Sequence, residues 1–152
     1  MSVQGLERLE VWRKAKEFAL AVYREVLPQF PVEEKWALNQ QIRRSVQSIP
    51  ANIAEGYGRY YHQDNVRFCY IARGSLEETL SHLVLAHKLN YISTNTYELL
   101  VKNGEDLVRL INGYIAYLKR SRKGAEEPGA SLSVHEPVET YSPEDLEDTP
   151  DQ

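Results

Sequence analysis

The chain has little cysteine and no long hydrophobic run. Cys69 is the only cysteine among its 152 residues, which excludes a disulfide within the chain and a zinc cluster built from several cysteines. No stretch of about 18 uncharged apolar residues occurs, so we expect no transmembrane helix. The first residues also lack a positively charged segment followed by an apolar one, which is the pattern of a secretory signal. These absences predict a cytoplasmic protein without a membrane partner.

The patterns of common catalytic and cofactor sites are missing as well. His82 and His87 are five residues apart, whereas the helical zinc-protease motif has its histidines four apart. Glu78 and His82 form a single pair, whereas a di-metal bundle needs Glu-x-x-His pairs on facing helices. The glycines in 56–58 lack the strand and the third glycine of a phosphate-binding loop. We therefore expect no metal site, no cofactor and no enzymatic activity.

Positive charge is absent from the end of the chain. Residues 124–152 contain nine acidic residues and neither Lys nor Arg, whereas residues 1–123 contain 18 basic and 13 acidic residues. The first part therefore carries a net charge of +5 and the second a net charge of −9. Four of the seven prolines also lie in 124–152, and such a segment buries too little apolar surface to offset its chain entropy. The sequence predicts a folded domain over 1–123 and a disordered acidic tail over 124–152.

Apolar residues in the first half of the domain recur at helical spacing. From Leu6 to Leu27 they follow steps of three and four residues, which predicts a first helix that ends before Pro28. A second helix is predicted over 32–56, where Gly56 and the glycine two residues later stand at plausible C-cap positions. Its apolar residues fall within a sector of about 80° and predict a core stripe. They are Leu38, Ile42, Val46, Ile49 and Ile53.

Two further helices are predicted in the second half. Asp64 is a good N-cap for the third helix, which reaches His87 or Leu89, with Ile71 among the residues expected on its inner side. Ser93 or Asn95 caps the fourth. No segment shows the alternation of a strand. Because four long helices are joined by short connections, the sequence predicts an all-α fold, an antiparallel up-down-up-down four-helix bundle.

The most unusual segment of the second helix contains a proline in mid-helix. Pro50 removes an amide donor and clashes with the preceding turn, so we expect a kink. Small or polar residues lie on the side of this helix away from the apolar stripe, and Gly74 offers another place where a backbone could approach closely. We interpret these positions as a subunit interface or a kink, the alternative being a kink that shapes only the core of one chain. The residues are Ser48, Pro50, Ala51, Asn52, Glu55 and Gly74.

Basic residues gather at three places, and tyrosines accompany one of them. Clustered cations neutralise phosphates, and loop tyrosines stack on unpaired bases, so these residues are candidates for binding nucleic acid. The alternative is structural, because cations in a last helical turn complement the helix dipole, and arginines of the second helix could pair with nearby glutamates. The candidates are Arg43, Arg44, Arg59, Tyr60, Tyr61, Lys119, Arg120, Arg122 and Lys123.

Four sequence blocks carry a resemblance to a known family. They are QIRRSVQSIPANIAEG at 41–56, LEVW at 9–12, IARGSLEE at 71–78 and LAHKLNYI at 85–92. In this order they resemble the four-helix-bundle family encoded in intervening sequences of bacterial large-subunit (23S) rRNA genes, over residues 6 to about 120. The acidic tail has no counterpart in the family pattern.

The resemblance implies a homopentamer of up-down bundles. The family is related to the accessory variability proteins of diversity-generating retroelements, which bind nucleic acid and a reverse transcriptase. By this resemblance we expect a non-enzymatic, oligomeric module that acts through binding, with RNA or DNA as a partner. The alternative is a protein-protein scaffold or an accessory subunit, for example of a reverse transcriptase, that makes no contact with nucleic acid.

Overall fold

Four long helices form the bundle in the computed structural model, which describes residues 3–121. The predicted acidic tail over 124–152 and the candidates Arg122 and Lys123 therefore lie outside the described residues. Within residues 3–121 every regular element is helical, and the four helices α2–α5 pack together, so the predicted all-α bundle is confirmed. The α-helices are α1 (Val3–Glu7), α2 (Glu10–Ala21), α3 (Leu38–Tyr57), α4 (His62–Lys88) and α5 (Thr94–Arg120).

The first predicted helix is interrupted. Leu9 has an extended backbone (φ −79°, ψ 109°) and separates the short α1 from α2. Beyond α2 the chain continues as a π-helical turn over Val22–Val26 and a 3-10 turn over Leu27–Gln29. The apolar spacing is preserved through these turns, and Val22 and Val26 are fully buried. Periodicity therefore located the buried side of this segment but not its breaks.

The second predicted helix begins six residues later than expected. Residues Val32–Glu34 form a separate 3-10 turn, and α3 begins at Leu38 because Ala37 is not helical (φ −119°, ψ −110°). Glu34 Oε2 accepts a hydrogen bond from the Leu38 amide at 3.0 Å, which satisfies one of the unpaired donors of a helix start. The two glycines at its end have different roles, since Gly58 is the C-cap while Gly56 lies buried inside α3.

The last two helices begin close to their predicted starts. Helix α4 begins at His62, with Tyr61 as N-cap, so Asp64 lies in its first turn and is not the cap. Of the two predicted caps for α5, Ser93 and not Asn95 is the N-cap, and its hydroxyl accepts a hydrogen bond from the Thr96 amide at 3.1 Å.

Side-chain hydrogen bonds fix the antiparallel register of α3 and α4. Thr79 Oγ1 donates to Ser45 Oγ at 2.8 Å, and the Ser48 and Ser75 hydroxyls are 2.8 Å apart. The later residue of α3 pairs with the earlier residue of α4, so the two helices run in opposite directions. Buried hydroxyls need hydrogen-bond partners, and these hydroxyls meet in only one register. The two hydrogen bonds therefore oppose sliding of α3 along α4.

The core consists of the apolar stripes of the four helices. The predicted stripe of α3 is confirmed, and four of its members are fully buried. Helix α3 continues through Pro50 to Tyr57, and the Asn52 side-chain amide donates to the Ser48 carbonyl at 2.8 Å. None of the helices described in residues 3–121 is long and apolar enough to cross a membrane. The fully buried members of the α3 stripe are Ile42, Val46, Ile49 and Ile53.

The expected inward position of Ile71 is wrong. This side chain is 51% exposed, whereas its neighbour Ala72 is fully buried. Successive residues of an α-helix are about 100° apart, and the inner face of α4 is set by Ala72, Leu76 and Leu83, which all have no exposed surface. Ile71 therefore lies on the outer face of α4.

Candidate nucleic-acid interface

One end of the bundle gathers cations and aromatic rings from three separate segments. It is the end at which α3 stops, α4 begins and α5 stops. The predicted candidates Arg59, Tyr60 and Tyr61 form the connection between α3 and α4, and Lys119 and Arg120 lie in the last turn of α5. Helix α4 adds more side chains in its first three turns. We call this surface the basic end, and it comprises Arg59, Tyr60, Tyr61, Arg67, Tyr70, Arg73, Lys119 and Arg120.

Aromatic rings on α4 hold the cations of the basic end. The Arg59 guanidinium carbon is 5.1 Å from the centroid of the Phe68 ring. On the other flank of α4, Arg73 Cζ is 5.0 Å and Lys119 Nζ 5.2 Å from the centroid of Tyr70. Cations over ring faces are attracted by the ring quadrupole. The first turns of α4 therefore link the α3–α4 connection to the end of α5.

The basic end carries few compensating acids. The segments that form it contain five cations and two acids, Glu55 and Asp64, so these segments together have a net charge of +3. Glu55 Oε1 pairs with Arg59 Nη2 at 2.7 Å, and both side chains are about half exposed. Such exposed pairs contribute about 0–1 kcal/mol, so this pair could readily exchange its carboxylate for a phosphate.

Two arginines of the basic end are exposed and have no partner among the described residues. The side chains of Arg67 and Arg120 make no hydrogen bond, ion pair or ring contact within residues 3–121. Arg73 is held more firmly, because its Nη1 donates to Asn112 Oδ1 on α5 at 2.9 Å. Arg67, Tyr70 and Arg73 were not among the residues predicted from the sequence. Their spacing of three residues after the α3–α4 connection was a signal, because it places them along one side of the first turns of α4.

The predicted cations of α3 do not join the basic end. Arg43 and Arg44 lie about 15 residues before Arg59, which corresponds to roughly 22 Å along the helix axis. Arg43 Cζ is 5.8 Å from the centroid of Tyr23 on the preceding π-helical turn. Glu55 pairs with Arg59, so the alternative pairing of Glu55 with these two arginines does not occur. The structure thus separates the candidates into two groups.

The predicted interface residues fall partly between α3 and α4 and partly on their outer surface. Ser48 and Asn52 are half-buried and hydrogen-bonded to each other at 2.8 Å, and Ser48 also contacts Ser75 on α4. In contrast, Ala51, Glu55 and Gly74 are exposed, and a Cβ atom added at Gly74 would have no neighbour within 4 Å.

Apolar side chains accompany the small residues on the same surface. Ile71 is 51% exposed and Leu85 49% exposed on α4. We call the surface formed by Ala51, Glu55, Ile71, Gly74 and Leu85 the α3–α4 outer face. Its exposed apolar side chains make it a candidate surface for packing against another chain.

Titratable groups that could serve catalysis are few in the described part of the chain. Burial raises the pKa of the Cys69 thiol to about 12, which leaves little of the thiolate that a nucleophile requires. His82 Nε2 lies 3.4 Å from Glu78 Oε1 on the same helix. Within residues 3–121, no three His, Cys, Asp or Glu side chains are grouped so that they could hold a metal ion.

The chain is similar to known proteins both in sequence and in fold. The family model described as 23S rRNA-intervening sequence protein matches residues 7–113. A crystal structure of a protein of unknown function from the S23 ribosomal protein family of Bacteroides thetaiotaomicron is 28% identical, with a TM-score of 0.63, and the match covers 69% of this chain and 97% of that one. The search of curated proteins gave no match. Since the family model spans most of the bundle, the chain belongs to the 23S rRNA-intervening sequence protein family.

Proposed function

We propose that the chain is a non-enzymatic binding module that holds single-stranded nucleic acid at its basic end. The observation that carries this proposal is the gathering of five cations and several tyrosines from α4, α5 and the α3–α4 connection on one end of the bundle. Phosphate contacts supply most of the affinity of such surfaces, and they do so without sequence preference.

The tyrosines favour unpaired bases as the occupants. Tyr60 is 67% exposed and Tyr117, one helical turn from Arg120, is 56% exposed. Tyr60 packs edge-on against Tyr61, with ring centroids 4.9 Å apart. Exposed rings beside cations form the stacking surfaces that single strands use, because every unpaired base presents a π-face. Bases stacked inside a duplex would not reach these rings.

Removal of two cations tests the binding surface. For the double variant Lys119→Gln/Arg120→Gln we expect clearly weaker binding of a fluorescent single-stranded oligonucleotide, measured by anisotropy between about 50 and 300 mM salt. The slope of log K against log salt should also fall by about 1.4, because each lost phosphate contact releases about 0.7 fewer counterions.

The matched control removes the same charge from the other end of the bundle. Lys88 and Lys102 are exposed near the end of α4 and the start of α5, and Lys88→Gln/Lys102→Gln should leave affinity and slope almost unchanged. Equal losses in the two double variants would mean that net charge alone drives binding. No binding at low salt would contradict the proposal and favour a protein-protein scaffold or an accessory subunit, for example of a reverse transcriptase.

We also propose that the module self-associates, with a second copy of the chain on the α3–α4 outer face. The exposed apolar side chains Ile71 and Leu85 and the open space at Gly74 support this role, since they allow close packing. A pentamer, as the family resemblance implies, would place the basic ends of all its subunits in one assembly. This would increase the affinity for a long strand, provided that the ends face one way.

Light scattering after size exclusion tests the assembly. We expect a mass of about five chains and a lower mass for Gly74→Arg, because the new side chain would project from the outer face. Gly113→Arg is the control, since Gly113 is also an exposed helical glycine whose added Cβ would have no neighbour within 4 Å. A monomeric wild type, or equal dissociation by both variants, would contradict this interface.

A further inference from the structure

We propose that the chain's own acidic segment 124–152 binds the basic end and competes there with nucleic acid. The competition with nucleic acid rests on the proposed function, whereas the contact between the acidic segment and the basic end does not. Charge complementarity is the first argument. The segment has nine acidic residues and no Lys or Arg, and the basic end has a net charge of +3 before the adjoining Arg122 and Lys123 are counted.

The second argument is the place at which the described chain stops. Helix α5 ends at Arg120, which is itself part of the basic end, and Ser121 follows it. An extended chain spans about 3.3 Å per residue, so the stretch of sequence from Ser121 to Glu127 can span at most roughly 20 Å. This distance is about the width of a bundle whose helix axes are 8–10 Å apart. The acidic residues that follow have the length to reach the opposite flank, at Arg59.

Tethering makes the competition effective. A ligand joined by a short linker experiences an effective concentration in the millimolar range, although each exposed ion pair is weak. The carboxylates of the segment would meet the same cations as phosphates, so the two ligands exclude each other. Because exposed charges are screened within about 10 Å at 0.1 M salt, the contact should weaken as salt rises. The segment would therefore select long or multiply attached strands over short ones.

Removing negative charges from the acidic segment of the full chain tests whether this segment competes with nucleic acid. For Glu126→Gln/Glu127→Gln/Glu136→Gln we expect at least about threefold tighter binding of a single-stranded oligonucleotide at about 50 mM salt, and no difference at about 300 mM. The control Glu25→Gln/Glu33→Gln/Glu98→Gln removes three exposed acids from the opposite end and changes the net charge equally. An equal gain in both variants, or no gain in either, would overturn the competition.

A spin label tests the contact without any nucleic acid. Ser131→Cys can be labelled selectively, because Cys69 is fully buried and its pKa is raised to about 12 by that burial. At low salt we expect broadening of the amide signals of Arg59, Arg67 and Lys119, and its loss at high salt. The amide signals of Lys88 and Lys102, at the other end, are the internal control.

The two experiments separate the two proposals. Broadening confined to the basic end in a chain that binds no oligonucleotide would leave the contact in place and remove the proposed function. Binding of the oligonucleotide without broadening at the basic end would overturn the inference and leave the proposed function. Broadening of both ends alike would also overturn the inference, since the segment would then have no preferred surface.

Discussion

Replacing Ile49 with alanine is expected to lower the free energy of unfolding by about 2–5 kcal/mol, which is the usual cost of such a cavity in a packed core. The Ile49 side chain is fully buried in the middle of α3. The side chains of Val46 and Ile53, one turn before and one turn after it, are also fully buried, and closely packed interiors fill such a cavity only in part. Urea unfolding followed by circular dichroism measures the loss.

Ile71 is the matched control, because the same substitution is made on the neighbouring helix. Ile71 is 51% exposed in the single chain, and at protein concentrations at which the chains are dissociated Ile71→Ala should cost less than about 1 kcal/mol, since little apolar surface is lost from the core. A small loss for Ile49→Ala would contradict the arrangement of the core. A loss at Ile71 close to that at Ile49 would mean that another chain buries this side chain, and light scattering would then show whether the variant dissociates.

Gly56→Ala is expected to be destabilising by about 1–3 kcal/mol, the usual cost of overpacking a close contact. A Cβ atom at this position would lie 2.6 Å from Asn65 Oδ1, 2.9 Å from Phe68 Cβ and 3.0 Å from the Asn65 backbone oxygen on α4. Asn65 has little freedom to move, because it is buried and donates to the Tyr114 hydroxyl at 3.1 Å. Helices α3 and α4 would have to separate at the basic end.

Gly113→Ala provides the opposite expectation. Gly113 is an exposed residue of α5, and an added Cβ atom would meet nothing within 4 Å. Alanine is favoured over glycine within a helix by about 0.5–1 kcal/mol, so this variant should be more stable than the wild type. Thermal unfolding of both variants gives the comparison. Stabilisation by Gly56→Ala would show that α3 and α4 are not in close contact at this point.

The Gly56 contact also bears on the proposed binding surface. Gly56 approaches Asn65 and Phe68 on α4. Phe68 is the ring over which Arg59 lies, and Tyr70, over which Lys119 lies, follows two residues later. A separation of the helices at this point would move the two flanks of the basic end apart. Gly56→Ala should therefore weaken oligonucleotide binding more than Gly113→Ala does, although neither substitution changes the charge of the chain.

The class of fold, the number of long helices and most of the buried positions could be predicted from the amino-acid sequence. The reason is physical, because the period of apolar residues is a local property that a helix retains wherever it packs. The stripe of α3 followed from spacing alone, and residue type narrowed the cap of α5 to Ser93 or Asn95, between which the structure decides. The abrupt change of charge after Lys123 is likewise visible without any structure.

The rotation of each helix about its axis and the contacts between distant segments depend on how the helices pack together. Ile71 and Ala72 are equally compatible with an apolar face, and only the position of the neighbouring helices leaves the first exposed and buries the second. Gly56 had the sequence features of a helix end, yet the close approach of α4 makes it a buried contact. Arg59 and Lys119 are 60 residues apart in the sequence, and they share one end of the bundle because the antiparallel packing of α4 with α3 and α5 brings them there. Such pairings depend on the packing of whole helices, which no local pattern encodes.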